Sequence, residues 1–359
     1  MRLLQLKADN FRLFSELSLS LHDRLNFFFG PNAAGKTTLL ETMFALGRGK
    51  SFRGSSSAEL AGAGGRHWTV FARVEREAGV TGTQAIEWRE SALRARVDGR
   101  PAQGVEFVRR MPVQVLEPGM HRVLQDGPTY RRGFMDWGVF HVEQSFIGVW
   151  QRYRRALQQR NSALRNGASS REIAVWEPEL AETGEQLQAM RSRHVAALQA
   201  ALPAQLSQLL DEGEWSLDLR AGWGESESLA EALALHRERD RRSGVTQFGP
   251  HRAELRIKAG QHGVKNRISR GQQKLLIAAL LLSQCDVIRA HCGWSPVLLV
   301  DDFAAELADR YQQSLLAALA AYPGQVHVTA FGPSGVLAAL PDCGMFHVER
   351  GRVRSAAEV

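Results

Sequence analysis

The spacing of hydrophobic residues changes twice along the chain. In residues 1–125, apolar residues alternate with polar ones or form short runs, most clearly at 3–10, 68–74 and 93–97. Alternation with a period of two is typical of half-buried strands, and the Gly-containing turns between the runs favour antiparallel neighbours. We therefore predict an N-terminal segment rich in strands, with a mixed rather than a purely parallel sheet.

Helical spacing replaces alternation in residues 126–243. A first apolar stripe consists of Val142, Phe146, Val149, Tyr153 and Leu157. A second stripe consists of Leu187, Met190, His194, Leu198 and Leu202. Such stripes usually pack against other helices of the same protein, although they can also hold a partner helix. We expect a mostly α-helical arm domain with a kink at Pro203.

Sheet-like patterning returns in residues 244–359. Alternation resumes at 252–258, a buried helix is predicted at 275–288, and continuous apolar runs at 296–300 and 325–330 are typical of buried parallel strands. We expect 325–330 to be the last strand. The whole pattern predicts an α/β head made of residues 1–125 and 244–359, with the arm domain of residues 126–243 inserted into it.

Length, charge and cysteine content narrow the class of protein. The 359 residues exceed the length at which one hydrophobic core usually stops growing. Lys and Arg outnumber Asp and Glu by 45 to 38, and this excess favours an acidic polymer or surface as partner. Cys285, Cys292 and Cys343 lack metal-ligand spacing, so neither zinc nor a disulfide is expected. No apolar run approaches the ~18 residues of a membrane span, and we expect a cytoplasmic protein without a membrane partner.

The clearest candidate chemistry lies between the apolar run 25–29 and a helical pattern at 38–46. The intervening residues read G-P-N-A-A-G-K-T-T and contain the spacing G-x-x-x-x-G-K-T. A loop of this kind directs backbone N–H groups at an anion beside a helix N-terminus. Lys36 is expected to reach the terminal phosphates of a nucleotide, and Thr37 to bind Mg²⁺. The predicted nucleotide contacts are Gly30, Pro31, Asn32, Ala33, Ala34, Gly35, Lys36, Thr37 and Thr38.

A phosphate loop of this class requires an acidic strand end opposite its lysine. Asp301 and Asp302 directly follow the apolar run 296–300. We expect Asp301 to hold Mg²⁺ through water and Asp302 to polarise the attacking water, although paired acids at a strand end can also cap a helix. Lys36, Asp301 and Asp302 are therefore predicted catalytic residues.

A third motif stands before the predicted helix 275–288 and reads Ser269-Arg270-Gly271-Gln272. Serine at a helix start is commonly an N-cap. The run S-x-G-Q before a buried helix and a D-D strand nevertheless resembles the signature motif of ABC-type ATPases. That resemblance implies that Ser269, Gly271 and Gln272 contact ATP held by a second copy of the chain, so that ATP joins two copies into a homodimer.

The ABC-type resemblance extends to two further positions. Gln114 falls where the class has its Q-loop, which implies a catalytic role and a bond to Mg²⁺. Thr329 stands near the switch position that a histidine usually occupies. ATP and Mg²⁺ are the implied cofactors.

Five strings in chain order resemble the RecF family of bacterial DNA repair proteins, relatives of the SMC ATPases. They are NFRLF at 10–14, GRGKSFR at 47–53, GPTYRRGFMDWGVFH at 127–141, GPHRAEL at 249–255 and SRGQQK at 269–274. The first string adds Arg12 to the implied nucleotide contacts. Glu254 and Ala308 stand where the family usually has Asp.

The family resemblance implies an ATP-dependent DNA-binding clamp of recombinational repair. Its implied substrates are single-stranded and duplex DNA at gaps and junctions, and its implied partners are RecO and RecR, with RecA loading and the SOS response downstream. ATP hydrolysis is expected to be weak and DNA-dependent, and it is expected to release DNA. The alternatives are another SMC-like repair ATPase, an ATPase subunit of a membrane transporter, and a small-molecule kinase.

Basic residues outside the nucleotide motifs are the candidate DNA contacts. Binding of this kind is steeply salt-dependent because phosphate contacts release counterions. A patch of arginines and lysines is also, in many proteins, only a solvated face. The candidates form two groups: Arg131, Arg132, Arg152, Arg154 and Arg155, and then Arg252, Arg256, Lys258, Lys265 and Arg267.

Overall fold

The computed structural model describes residues 1–63, 65–77, 79–210, 213–224, 228–265, 267–332 and 342–356. Its strands, in chain order, are β1 (Arg2–Phe11), β2 (Phe14–Ser20), β3 (Leu25–Phe29), β4 (His67–Glu77), β5 (Val80–Arg89), β6 (Ala92–Val97), β7 (Arg100–Ala102), β8 (Val113–Leu116), β9 (Trp215–Arg220), β10 (Glu254–Ala259), β11 (His262–Gly263), β12 (Val297–Val300), β13 (Val326–Ala330), β14 (Gly344–Glu349) and β15 (Arg352–Ser355).

The helices are α1 (Lys36–Arg48), α2 (Gly104–Arg110), α3 (Arg122–Gln125), α4 (Pro128–Val142), α5 (Phe146–Arg165), α6 (Ser170–Ala174), α7 (Glu177–Leu209), α8 (Leu229–Leu235), α9 (Arg237–Ser243), α10 (Arg270–Cys292) and α11 (Asp309–Ala321). Short 3₁₀ turns occupy Ala58–Leu60, Pro118–His121 and Pro250–Arg252.

These elements form two compact units. The first unit comprises Met1–Met120, Ala204–Leu210 and Arg270–Val359, and the second comprises His121–Pro203 and Asp211–Ser269. The second unit thus reaches residue 269, whereas the predicted arm ends at residue 243. The reason is strand pairing, because β10 pairs antiparallel with β9 and so residues 244–269 pack with the inserted segment.

The first unit contains two six-stranded sheets. One sheet has the order β2-β1-β4-β5-β6-β7, and its neighbouring strands are antiparallel. The other has the order β15-β14-β3-β13-β12-β8, in which β15 alone runs antiparallel to its neighbour. The predicted mixed sheet is confirmed, and the carboxyl ends of β3, β12 and β13 lie at one edge of it.

Helix α1 forms part of the core of this unit. Its residues Thr38–Gly47 are all buried, and its apolar side chains share one cluster with side chains of both sheets, among them Phe28, Trp68 and Leu299. The close packing has no room for a side chain at Gly47, where a Cβ would lie 2.3 Å from Val113 Cγ2. The helix that follows the phosphate loop is thereby held rigidly.

Helix α10 is a core helix. It is long and apolar enough to cross a membrane, but 67% of its most apolar window is buried inside the protein. Its residues from Leu275 to Cys285 are buried without interruption. This environment explains the continuous apolar run at 275–282 within the helix predicted at 275–288.

Two details of the fold differ from the sequence-based expectations. The stripe from Val142 to Leu157 does not form one helix, because α4 ends at Val142 and α5 begins at Phe146. The prediction that the run 325–330 is the last strand is wrong, since β14 pairs with β3 and β15 pairs with β14. Pro203 lies inside α7, which ends at Leu209, and the kink expected at this proline stays a prediction.

Buried ion pairs hold the second unit together alongside its apolar stripes. The five residues predicted for the second stripe are buried. Arg160, which is fully buried, donates to Glu177 Oε1 at 3.0 Å, to Asp240 Oδ2 at 2.7 Å and to Thr246 Oγ1 at 2.8 Å. A buried guanidinium needs such partners because an unpaired buried charge is very costly. This network joins α5, α7 and α9.

Candidate nucleotide-binding site

The phosphate loop connects β3 to α1. Three of its residues have positive φ values: Gly30 at 154°, Ala33 at 62° and Gly35 at 115°. Glycine is required at residue 30, where a Cβ would lie 2.0 Å from the Val348 carbonyl oxygen. Gly35 caps α1 without a side-chain hydrogen bond. The first N–H groups of α1 therefore lack intrahelical acceptors, and a helix N-terminus of this kind favours an anion.

The ammonium group of Lys36 lies across this loop. Its Nζ donates to the Gly30 carbonyl at 2.7 Å and to the Pro31 carbonyl at 2.9 Å. Burial lowers the pKa of Lys36, while the carboxylates of Asp302 and Asp301 act in the opposite direction. The lysine and the two acids thus influence one another, as the sequence predicts for opposite sides of a phosphate site.

Asp301 lies directly after β12, between two threonine hydroxyls. Thr37 Oγ1 donates to both carboxylate oxygens of Asp301 at 3.0 Å, and Thr329 Oγ1 donates to Oδ1 at 2.7 Å. The backbone N–H of Asp301 donates to the Leu116 carbonyl at 2.8 Å. Burial raises the pKa of the Asp301 carboxyl group, and the two hydroxyls oppose that shift. The carboxylate is therefore held in one orientation beside Thr37.

Asp302 has a left-handed backbone, with φ at 54°. Its N–H donates to Thr329 Oγ1 at 2.9 Å. Lys274 of α10 stabilises the same turn, because its Nζ donates to the carbonyls of Asp302, Phe303 and Ala305 at 2.7, 3.1 and 2.9 Å. Burial lowers the pKa of Lys274. Both acids are thus positioned by side chains that lie far away in sequence.

The residues at this point suit a nucleotide with Mg²⁺. Thr37 and Asp301 offer a hydroxyl and a carboxylate within 3.0 Å of each other, and oxygen ligands of this kind are those Mg²⁺ prefers. Within the described residues no group of three or more His, Cys, Asp or Glu side chains could hold a metal by itself. Mg²⁺ at this site would therefore depend on phosphate oxygens and water for its remaining ligands, as is usual for this ion.

Gln114 does not lie with this group. It is the second residue of β8, buried, and in register with Leu298, whereas Asp301 follows the end of β12. Its Nε2 donates to Gln284 Oε1 of α10 at 2.6 Å. A strand advances roughly 3.3 Å per residue, so Gln114 lies well short of the sheet edge. The strand register keeps Gln114 away from the two acids and from Thr37. Gln114 therefore does not occupy the catalytic and metal-binding position that the sequence predicts for it.

Arg12 is the counter-ion of a buried carboxylate. Its Nε lies 2.5 Å from Glu41 Oε2, and its guanidinium also donates to Ser55 Oγ at 2.7 Å. Glu41 is fully buried in α1 and accepts a further hydrogen bond from Ser51. Arg12 thus joins the β1–β2 turn to α1 and to the loop after it, a structural role that its sequence motif did not reveal.

Reasoning from the sequence gave Thr329 no functional role and missed Arg53. Thr329 orients Asp301 and Asp302. The signal for it in the sequence was its position near the end of the apolar run 325–330. Arg53 lies close enough to Asp301 to lower the pKa of that carboxyl group. Its signal was the basic string GRGKSFR at 47–53, which spans the end of α1 and the residues after it.

The S-x-G-Q motif lies at the start of α10. Ser269 directly precedes the helix. Gly271 lies close to the turn after the acids, since a Cβ there would be 3.2 Å from the Glu306 carbonyl oxygen. Contact of Ser269, Gly271 and Gln272 with the nucleotide of a second copy stays a prediction.

The predicted DNA contacts fall in the second unit, and several already have partners there. Arg131 forms a two-bond pair with Glu254 at 2.6 and 3.1 Å, and Arg152 pairs with Glu179 at 2.8 and 2.9 Å. Lys258 lies 3.0 Å from Asp218, and Arg132 donates to the Ala253 carbonyl at 2.9 Å. Arg154 stacks on Trp150. The remaining candidates are exposed to solvent: Arg155, Arg252, Arg256, Lys265 and Arg267.

Comparison with known proteins shows the family of this chain. The family described as RecF/RecN/SMC N terminal domain matches residues 2–354. The chain is 33% identical over 356 residues to the DNA replication and repair protein RecF of Shewanella oneidensis, covering 98% of this chain and 99% of that protein. It is 36% identical over 358 residues to the protein of the same name from Erwinia tasmaniensis, covering 98% of each.

Solved structures show the same fold. A RecF–ATP structure, described as a recombination mediator protein in the RecFOR pathway, matches with a TM-score of 0.88 at 22% identity, covering 98% of this chain and 97% of that one. An Smc head domain derived from Pyrococcus yayanosii matches with a TM-score of 0.60 at 12% identity, covering 99% and 96%. Fold and site together define a P-loop head of the RecF/RecN/SMC class. Within this class, the chain belongs to the RecF family.

Proposed function

We propose that this protein is a DNA repair ATPase that binds DNA as an ATP-dependent homodimer. The observation that carries the proposal is the arrangement of Lys36, Thr37 and Asp301, with Thr37 Oγ1 3.0 Å from both oxygens of Asp301. A phosphate loop and an acidic strand end in this relation form the binding site of a nucleoside triphosphate with Mg²⁺. The relatives named for DNA replication and repair support DNA as the substrate.

Each residue has a defined task in the proposed site. The N–H groups at the start of α1 and the Lys36 ammonium hold the phosphates of ATP. Thr37 and Asp301 hold Mg²⁺, which neutralises charge that develops on the phosphates. Asp302 orients the attacking water, and its exposed side chain is free to do so because its backbone is fixed by Thr329 and Lys274. The site is incomplete in one copy, since Ser269, Gly271 and Gln272 are assigned to the ATP of the other.

ATP binding, rather than rapid hydrolysis, controls the proposed function. Two copies close on DNA when each ATP joins a phosphate loop to the partner's S-x-G-Q motif, and slow, DNA-dependent hydrolysis releases the complex. The proposed partners are RecO and RecR. The proposed place of action is a gap or duplex junction in cytoplasmic DNA, where RecA is loaded and the SOS response is triggered. These partners are supported by the similar RecF–ATP structure, which is described as belonging to the RecFOR pathway.

Two variants separate ATP binding from dimer formation. Lys36→Met removes the phosphate contact and should abolish both, whereas Ser269→Arg should bind ATP normally and stay monomeric. Sedimentation of each variant and of the unaltered protein is measured with ATP, ADP or no nucleotide, beside a fluorescent-nucleotide titration. If both variants dimerise with ATP like the unaltered protein, the proposed shared site is wrong.

DNA binding is tested on gapped, duplex and single-stranded oligonucleotides. Fluorescence anisotropy over a salt series, with ATP, ADP or no nucleotide, should show the tightest binding with ATP. An affinity that ignores the nucleotide would contradict an ATP-controlled clamp. Phosphate transfer to a small-molecule acceptor would favour a kinase instead.

A further inference from the structure

A charged cleft of about 410 Å³ lies against the β14–β15 hairpin of the first unit. It is lined by His347, Glu349, Arg350, Arg352 and Arg354. Three of these five residues are arginines and one is acidic, so the cleft has a net positive charge. None of the five is among the residues that the sequence assigns to DNA.

The strand register places four of the lining residues on one face of the hairpin. Glu349 is opposite Arg352, and His347 is opposite Arg354. Residues directly opposite each other in a sheet project to the same side. Arg350, at the turn, has a left-handed backbone with φ at 46°. The hairpin therefore places Arg352 and Arg354 on one face together with Glu349 and His347, and Arg350 lies at the adjoining turn.

The three arginines of the cleft are not neutralised within the described residues. Arg350, Arg352 and Arg354 form no ion pair or side-chain hydrogen bond with any residue in the described ranges, and Arg352 and Arg354 are exposed. By contrast, Arg131, Arg152 and Lys258 of the second unit each have a carboxylate partner. The hairpin arginines therefore keep a positive charge that is available to a ligand, as do the exposed candidates of the second unit such as Arg155 and Arg256, whereas the paired positions do not.

The hairpin is attached to the phosphate loop. The N–H of Gly351 donates to the Ala34 carbonyl at 3.0 Å. Gly30 lies so close to the Val348 carbonyl that a Cβ would approach it to 2.0 Å. The ring of His347 lies 5.4 Å from that of Phe29, the last residue of β3. A ligand of the hairpin is thus held on the same rigid framework as the nucleotide.

The geometry points to this cleft as a binding site for the sugar–phosphate backbone of DNA, an inference that rests on the proposed function. Guanidinium groups suit phosphate because they form paired, charge-assisted hydrogen bonds. Alternate residues of one strand face are roughly 6.8 Å apart, so Arg352 and Arg354 present charges in a regular row. Among the described lining residues the ring is that of His347, which already lies against Phe29, and three of the other four are arginines, so the sugar–phosphate backbone is the part of DNA that the cleft suits best.

A different explanation exists for arginines on this strand. β15 is the outer strand of its sheet, and charged side chains on such a strand prevent pairing with other molecules. That role requires no ligand. The two explanations differ in what happens to DNA affinity when the charges are removed.

The test compares two double variants that remove the same number of charges from the first unit. Arg352→Gln/Arg354→Gln alters the cleft, and Arg94→Gln/Arg96→Gln alters two exposed arginines of β6 as a matched control. Anisotropy of a labelled duplex is measured with ATP over a salt series, and a fluorescent ATP analogue confirms that each variant keeps its nucleotide site.

The cleft variant should bind duplex DNA about ten-fold or more weakly. Its plot of log affinity against log salt should be shallower by ~1.8, because each phosphate that an arginine no longer neutralises lowers the slope by about 0.9. The control variant should match the unaltered protein. If the cleft variant keeps the affinity and salt slope of the control, the inference is overturned while the proposed function stands. If the unaltered protein binds no DNA with ATP, the proposed function itself fails.

Discussion

The hydroxyl of Thr329 donates a 2.7 Å hydrogen bond to Asp301 Oδ1 and accepts one of 2.9 Å from the backbone N–H of Asp302. One fully buried side chain at the end of β13 therefore orients both acids that follow β12. ABC-type ATPases usually have a histidine near this position. Here the residue is a threonine that contacts both acids, so in the proposed site it is a positioning residue.

Replacing this hydroxyl should slow ATP turnover without weakening ATP binding. Thr329→Val keeps the shape of the side chain but removes both hydrogen bonds. Hydrogen bonds to charged groups are worth about 1.5–3 kcal/mol, which corresponds to a loss of roughly ten-fold or more in kcat. Steady-state ATPase assays should show this loss with little change in KM, and Thr329→Ser should restore most of the rate.

The pH profile of the same variant distinguishes positioning from a general loss of structure. The Thr329 hydrogen bond lowers the pKa of Asp301, so its removal should raise that pKa and move the acidic limb of the rate profile to higher pH. A lower rate with an unshifted acidic limb would count against the positioning role.

Ala308 leaves the start of α11 without a side-chain cap. It occupies the N-cap position with extended backbone, at φ −67° and ψ 154°, and forms no capping hydrogen bond. Asp at an N-cap accepts a hydrogen bond from the first turn, and relative to Ala it contributes about 1 kcal/mol. Ala308→Asp should therefore raise the free energy of unfolding by about that amount, measured by urea denaturation.

Ala308→Asn is the matched control for charge. It can accept the same hydrogen bond but carries no charge, so a similar gain in both variants assigns the effect to capping. If only Asp stabilises the protein, the interaction is with the helix dipole instead. No gain in either variant would contradict the assignment of residue 308 as the N-cap.

Acid should destabilise the protein through buried histidines. His327 is fully buried in β13, and neither ring nitrogen has a hydrogen-bond partner within the described residues. Burial lowers the pKa of His327 to about 3, from an ordinary value of 6.5. Because the unfolded chain binds the proton more readily, stability is fully present above pH 6.5 and falls at lower pH, by about 1.4 kcal/mol per pH unit, until the folded pKa is reached.

His327→Phe removes this titration and keeps a ring beside Phe28. The slope of unfolding free energy against pH between about 6 and 4.5 should become shallower by about 1.4 kcal/mol per pH unit. His194 and His251, whose pKa values burial lowers to about 4, continue to contribute acid sensitivity in the second unit. An unchanged slope would show that His327 is protonated at the same pH in the folded and unfolded states.

Two arginines of α5 should differ strongly in their contribution to stability. Arg160 is fully buried and pairs with Glu177 and Asp240, and Arg160→Met should cost about 3–5 kcal/mol because it leaves the buried Asp240 carboxylate without its cation, whereas Glu177 keeps its pair with Arg237. Arg152 is exposed and pairs with Glu179, and Arg152→Met should change the free energy of unfolding little, because solvent screens such a pair. Urea denaturation of the two variants provides the comparison, and equal losses would be inconsistent with the burial of Arg160.

The local elements of this protein could be predicted because their signals are contiguous. β3, the phosphate loop and α1 follow one another within a short stretch of chain, and glycine spacing, apolar runs and a lysine identify them together. The apolar run at 296–300 indicated a buried parallel strand, and β12 is one. The five family-like strings were equally local. Prediction failed where an element depends on what packs against it, as at β14 and β15, which form an edge beside β3.

The sequence by itself determined the class of fold, the phosphate loop and the acidic pair, because each is set by neighbouring residues with a characteristic period or spacing. Only the tertiary structure decided which distant side chains meet those residues. Strand register placed Thr329 on Asp301 and left Gln114 two residues short of the sheet edge, bonded to Gln284. The pairing of β14 with β15 likewise placed Arg352 opposite Glu349 and Arg354 opposite His347. Register and sheet order arise from packing of the whole unit, and no local pattern encodes them.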